Sequence, residues 1–383
     1  MTGFEIEGSP RWRNYVMESG PRLQTFWRAH FQAERNVLFV LGKGFDRRMC
    51  LGLQSLMDAG GTGNRDVVAI HFDEGASSPS KTYWQDVNTN WAELQGMVEG
   101  KGVLTTKPLK MWSDDGRRIG SRNAARLFSD LHEFKGYTDI MLDISALPRG
   151  VYFPLIAKIL YILDEGVADK GSKQPNFHVV VAENAKLDRR IQDEGVDDTA
   201  TYVHSFGGDL EMEATADRPK VWIPVLGERQ ATQLVRVYEL VKPDEIAPVL
   251  PSPSLNPRRS DDLLLEYREI LFDRLKVEAS NFIFASERNP FEVYRQIRRA
   301  VLHYNNALRP LGGCKTVLSA FTTKLLSVGA LLVAYELKRA KASVGLAHVE
   351  CQGYTIEGGT QGDEANAGSE LFGLWLWGEC HEP

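Results

Sequence analysis

The chain reads as an α/β protein of two tandem Rossmann-like units, each a doubly wound, mainly parallel sheet, with an insertion in the first. Three observations predict this. Short β-rich runs alternate with helical runs along most of the 383 residues, the pattern of parallel strands joined by crossover helices. Two strand–loop–helix signatures each recur in the same order. Residues 37–41 run into Gly42-Lys43-Gly44 as residues 246–250 run into Ser252-Pro253-Ser254, and residues 140–149 resemble residues 315–324 in the same way. Finally, the length suits about two domains at roughly 150 residues each.

The elements follow in order. In the lead-in, residues 1–35, Leu23, Trp27 and Phe31 recur at helical spacing. Residues 37–41 are a strand, and 47–58 a helix with Met49, Leu53, Leu56 and Met57 on one side. Residues 66–70 are a strand ending in His71-Phe72-Asp73-Glu74-Gly75. Residues 76–120 are polar and glycine-rich, with Trp84, Trp91 and Trp112, and read as an insertion outside the sheet. A helix over 122–134, a strand over 139–144, an apolar helix over 152–163, strands over 177–182 and 221–226, and a helix through Leu240 complete a first unit spanning 36–240.

The second unit, 241–350, repeats the cycle more tightly. Strands are expected at 246–250, 281–285, 315–318 and 344–349, with helices at 261–275, 291–308 and 324–337. Ser260 is placed to cap the first of these helices, and Pro290 suits the first turn of the next. In the tail, 351–383, residues 357–370 are glycine-rich and expected to be mobile. The run 371–377 is too apolar to be left in water and should dock on the body or on a partner.

Bulk properties exclude several classes. Hydrophobic content of 43% and charged content of 25% are ordinary globular values. A net charge of −6 argues against bulk, sequence-independent nucleic-acid binding, yet leaves room for a small anion held by a few arginines. Cys50, Cys314, Cys351 and Cys380 show no CxxC spacing, so neither a zinc site nor a disulfide framework is expected, and a reducing cytoplasm fits. No secretory signal is visible, and the longest apolar run, 325–335, is too short to cross a bilayer. His71, His204 and His348 are scattered, so no metal site is expected, nor any cofactor.

Two loops carry the polar chemistry. Gly42-Lys43-Gly44 follows a strand and opens a helix, where a phosphate can meet backbone amides and the helix dipole. Asp46 fits an N-cap as well as a ligand group, and Arg47 and Arg48 could clamp an anion. The third glycine of a dinucleotide loop is absent, because Arg47 stands there, and no Walker lysine follows. In the second loop, Asp143 can hold loop amides or ribose hydroxyls, Ser145 can bind phosphate or cap the helix, and the Arg149 fork suits a phosphate. Ser319, Thr322, Thr323 and Lys324 offer a comparable set in the second unit, without an aspartate. Ser286-Glu287-Arg288 could line the same face. Arg295, Arg298 and Arg299 read as a solvated helix face. Cys351 follows a strand, but no nearby base is specified for it.

A strand followed by Asp-x-Ser, a turn with a basic residue and an apolar helix resembles the CRISPR-associated Rossmann fold, or CARF, family and its SAVED relatives. The resemblance rests on Asp143, Ser145 and Arg149, with 42–46 in the place of the first-strand ligand loop. It implies a Rossmann-like sensor of cyclic nucleotide signals in prokaryotic antiviral defence. It leaves 76–120 and 185–240 unaccounted for, and no separate effector nuclease is identifiable.

The sequence therefore favours binding or sensing of a nucleotide-type anionic ligand in a cleft of strand-end loops, within a defence or signalling system, over catalysis. A protein partner or a homo-oligomer is expected. The alternatives are a hydrolase or transferase acting on a nucleotide or nucleoside through Asp73, Glu74 or Asp143, and a ligand-free scaffold.

Overall fold

A computed structural model describes residues 9–75, 78–167, 174–210, 212, 216–359 and 367–381. The chain divides into two units, each a parallel sheet flanked by helices. The first combines Asn14–Gly195 with Cys351–Pro383; the second combines Val196–Glu350 with the N-terminal residues through Arg13.

Five strands form the parallel sheet of the first unit: Val37–Gly42 (β1), Arg65–Asp73 (β2), Leu104–Lys110 (β3), Asp139–Asp143 (β4) and Asn176–Glu183 (β5). β1, β4 and β5 are buried nearly throughout, as parallel strands covered on both faces must be. The order across the sheet is β3-β2-β1-β4-β5. Glu370–Trp377 then adds antiparallel to β5, and Val16–Ser19 adds antiparallel to Glu370–Trp377.

The second unit repeats this plan. Lys220–Val225 (β6), Val249–Pro251 (β7), Ile283–Ala285 (β8), Lys315–Ala320 (β9) and Val344–His348 (β10) lie in the order β8-β7-β6-β9-β10, all parallel. Thr201–Tyr202 adds antiparallel to β10. Both units therefore share the Rossmann strand order, and the order reverses between β1 and β4 and between β6 and β9.

Several expectations change. The division falls at 195/196, not near 240. The run 221–226, expected as the fifth strand of the first half, is β6, the central first strand of the second sheet. Its equivalent is thus 37–42; the run 246–250 corresponds to 65–73 instead. The region 76–120 is no insertion, because it supplies β3 and the helix Trp84–Val98, which buries Leu94 and Val98 in the core of the first unit. Its polar residues mislead because β3 is an exposed edge strand, blunted by Lys107, Pro108 and Lys110. The expected helix over 122–134 shrinks to Gly120–Ala124 and a single turn at Leu131–Phe134. Ser260 lies inside the helix Arg259–Glu266, and its hydroxyl donates to the Pro251 carbonyl. Arg298 is buried and pairs with Glu336 at 2.8 Å, so that helix face is only partly solvated.

The lead-in from Asn14 onward and the tail join the first unit. Leu23, Trp27 and Phe31 are buried, the first two on the helix Gly20–His30. The run 371–377 lies within the sheet, with Leu374 and Leu376 fully buried. Of the expected mobile segment, residues 360–366 lie outside the described residues.

Candidate functional site

In an open α/β sheet, ligands bind beyond the carboxyl ends of the strands where the order reverses. In both units the first- and fourth-strand loops meet there. A Cβ on Gly42 would lie 2.6 Å from Leu147 Cδ2 and 3.2 Å from the Ala146 carbonyl oxygen. A Cβ on Gly227, just past β6, would lie 2.3 Å from the Phe321 carbonyl oxygen and 2.8 Å from Thr322 Cα. At Gly227 glycine is required because backbone meets backbone, whereas at Gly42 the closest atom is the Leu147 side chain. The sequence-expected loops 42–48 and 143–149 are thus brought together, as are their counterparts 227–230 and 319–324.

In the first unit these loops are engaged internally. Asp46 caps the turn Arg47–Cys50, accepting from the Arg48 amide at 3.0 Å, and its carboxylate also receives the Arg48 guanidinium at 2.7 Å. An aspartate thereby stands where a phosphate would meet the helix start. Arg48 is buried and also pairs with Asp188 at 2.7 Å. Burial works against its charge, but the Asp46 and Asp188 carboxylates outweigh it and hold the guanidinium above its ordinary range. Arg47 pairs with Glu93 at 3.2 Å, and the Lys43 ammonium lies 4.2 Å from the Trp91 ring centroid. The Gly44 carbonyl accepts from Asn90 at 3.1 Å.

Asp143 is buried, accepts from the Ser145 amide at 2.8 Å and lies against the Gly52 backbone. The buried Ser145 hydroxyl accepts from the Ala182 amide at 2.8 Å. Both residues act as loop organisers. Arg149 is half-buried as the first residue of the helix Arg149–Gly166.

The three candidate catalytic carboxylates sit in different surroundings. Asp73 is exposed and accepts from the Gly75 amide at 3.0 Å. Glu74 is half-buried and accepts from the Ser78 hydroxyl at 2.6 Å. Burial raises the Glu74 pKa against the opposing pull of Ser78, Ser80 and Arg118. Asp143 is the buried loop organiser just described.

The second unit differs at the equivalent positions. The helix Ala231–Val241 starts at Gln230 with no side-chain cap and no acidic residue in its first turn. The Gln230 Oε1 atom is buried and has no hydrogen-bond partner among the described residues. The loop is held from below: Tyr267 donates to the Gly227 carbonyl at 2.5 Å and accepts from the Gln230 amide at 3.0 Å. The Arg229 amide donates to Glu266 at 2.6 Å, and Arg229 itself takes a left-handed φ of 60°.

Thr322, Thr323 and Lys324 are half-buried at the start of the helix Lys324–Arg339, where Thr323 Oγ1 accepts from the Leu326 amide at 3.4 Å. Ser319 is fully buried, and its hydroxyl accepts from Trp222 Nε1 at 3.0 Å, so it serves packing. Nearby along the strand ends, Arg259 pairs with Glu228 and, at 3.3 Å, with Glu287. Gln230 and Arg229 escaped the sequence reading because it took 246–250, not 220–225, as the first strand.

No known family model matches the chain, and no curated protein matches it. Among solved structures, a type III CRISPR defence DNA nuclease activated by cyclic oligoadenylate aligns over 79% of this chain at 9% identity and a TM-score of 0.42. The chain spans 63% of that nuclease's length. A universal stress protein from Archaeoglobus fulgidus aligns over 81% of this chain and 94% of its own, at 11% identity and a TM-score of 0.23. A protein of unknown function from Pseudomonas aeruginosa gives 84%, 95%, 11% and 0.22 for the same quantities. Overlap of this extent says nothing about ligand or chemistry.

A second cluster lies at the opposite, amino-terminal edge of the first sheet. Asp139, the first residue of β4, is fully buried. Its Oδ1 lies 2.8 Å from His30 Nε2, 3.2 Å from His178 Nε2 and 3.0 Å from Asn176 Nδ2. Its Oδ2 accepts from Thr138 at 2.7 Å and faces Arg35 at 3.4 Å. Burial opposes the Asp139 charge, but the donors from His178 and His30 outweigh it and hold the carboxyl well below the usual range; burial lowers the His178 pKa. Residues 30, 139 and 178 are too far apart in sequence to form a motif.

Proposed function

We propose that the second unit binds a nucleotide-type anionic ligand at the β6/β9 reversal, and that the chain acts as a sensor. The supporting observation is the difference between the two reversal points. In the first unit the helix start carries its own anion, Asp46, locked by Arg48. In the second, the helix start at Gln230 has no side-chain cap, beside a backbone pressed close by Gly227. An uncapped helix start favours an anion by amide donation and by its dipole. Thr322, Thr323 and Lys324 add hydroxyls and a cation on the facing loop.

The buried Gln230 Oε1 needs a donor, since an unsatisfied buried acceptor costs roughly 1–3 kcal/mol. A bare phosphate dianion offers none, whereas a ribose hydroxyl or a base amine does. A nucleotide supplies both chemistries. Membership of a defence or signalling system rests on the resemblance carried by Asp143, Ser145 and Arg149. The first unit serves in this reading as the body whose helix start is already occupied by Asp46.

Calorimetric titration of mono-, di- and cyclic oligonucleotides tests the reading. Binding of at least one of them, weakened by salt and without turnover, is expected. If none binds, the sensor reading falls. Turnover abolished by changing Asp73, Glu74 or Asp143 would replace it with the enzyme.

A further inference from the structure

The His30–Asp139–His178 cluster belongs to neither reversal point. In the described structure Asp139 Oδ1 faces three nitrogen atoms at 2.8, 3.2 and 3.0 Å. One carboxylate oxygen offers about two lone-pair positions, so three separate donors crowd it. The nitrogen and oxygen atoms of His30, Asp139 and His178 all lie within 4.8 Å of one another. Two ligand atoms about 2.1 Å from a shared ion are about 3.0 Å apart at a right angle and about 3.4 Å apart at a tetrahedral angle. The His178–Asp139 separation of 3.2 Å falls in that range, and the His30–Asp139 separation of 2.8 Å lies about 0.2 Å short of it.

We infer that His30 Nε2, His178 Nε2 and Asp139 Oδ1 bind a first-row divalent transition-metal ion. One ion replaces two of the three crowded contacts, and Asn176 remains as the single hydrogen-bond donor to Oδ1. The other carboxylate oxygen is already oriented by Thr138 and Arg35, the kind of outer support that fixes a ligating carboxylate. The charged groups facing the cluster are Arg35, paired with Glu379 at 2.8 Å, and Arg65, which interacts with the Asp139 carboxylate. Two imidazoles and one carboxylate suit zinc, iron or cobalt better than calcium or magnesium.

The ring of Trp375 lies 4.9 Å from His178 and 5.0 Å from His30, centroid to centroid. The ion would pin the helix Gly20–His30 to β4 and β5, beside Trp375, a structural role.

The test is elemental analysis of the full chain expressed with zinc, iron, cobalt and manganese in the medium, then desalted. Near-stoichiometric metal is expected, with His71→Ala, on the exposed end of β2, retaining it. His30→Ala and Asp139→Asn should lose it. Because those variants could misfold, the wild type is also stripped with chelator and refilled with cobalt. A fall in melting temperature on stripping, its recovery on refilling, and a visible d–d spectrum are expected. Wild type that carries no metal, and whose melting temperature and spectrum do not respond to added cobalt or zinc, overturns the site.

Discussion

Replacing Gly227 with alanine probes the β6/β9 reversal with a single carbon. The added Cβ would lie 2.3 Å from the Phe321 carbonyl oxygen and 2.8 Å from Thr322 Cα. Both are backbone atoms, so no rotamer change relieves the clash; the two loops must part. Overpacking of this kind costs about 1–3 kcal/mol. At roughly 2–4 °C per kcal/mol for a unit of this size, the melting transition of the second unit should fall by about 2–12 °C. Gly96→Ala is the control, since Gly96 is exposed on the helix Trp84–Val98 and its Cβ would meet nothing within 4 Å. That change should be neutral or stabilise by up to about 1 kcal/mol. Scanning calorimetry reads both variants, and nucleotide titration of Gly227→Ala should show weakened binding. A Gly227→Ala protein that melts and binds like wild type would refute the close-approach account.

Three further outcomes follow from the first unit. Arg48→Ala leaves Asp46 and Asp188 without their shared cation; breaking a buried pair costs about 3–5 kcal/mol, and the lower end is expected because the Asp188 side chain is 38% exposed. An unchanged urea midpoint would show that Arg48 holds nothing together. Burial raises the folded-state pKa of Glu74, so its ionisation opposes folding at neutral pH and ceases to do so once pH falls below the unfolded value of about 4.3. Glu74→Gln, which can still accept from Ser78, should therefore raise the melting temperature at neutral pH and converge with wild type near pH 4; a gain that persists there would contradict the assignment. Burial pushes the Cys50 and Cys380 thiols up to about 12, so a thiol reagent on native protein should label the half-buried Cys351 before either, as peptide mapping would report.

Much of the fold was legible because it is written in local pattern. The runs at 37–41 and 177–182, and 139–143 of the expected 139–144, are strands in the structure, and the apolar run 371–377 is packed, since side chains of that size cannot be left exposed. The errors have physical causes. An edge strand such as Leu104–Lys110 is half polar and carries a proline, so it reads as loop. The strand Lys220–Val225 was assigned to the wrong unit because nothing local marks sheet membership, which depends on its pairing with Lys315–Ala320. The polar loops were placed at the correct strand ends, yet sequence could not say which residues are engaged internally. Asp143 and Ser145 looked like ligand groups and organise their own loop instead. The His30–Asp139–His178 cluster was invisible because a turn of helix and two strands converge only in the fold.

The central claim is that the second unit's reversal point takes the ligand while the first unit's is internally filled. The most direct measurement compares nucleotide affinity of wild type, Lys324→Ala and Arg149→Ala by calorimetric titration at low and high salt. A charge-assisted hydrogen bond contributes roughly 1.5–3 kcal/mol, so Lys324→Ala should weaken binding about ten- to a hundredfold and flatten its salt dependence, while Arg149→Ala stays near wild type. Loss of affinity in Arg149→Ala with none in Lys324→Ala would contradict the claim.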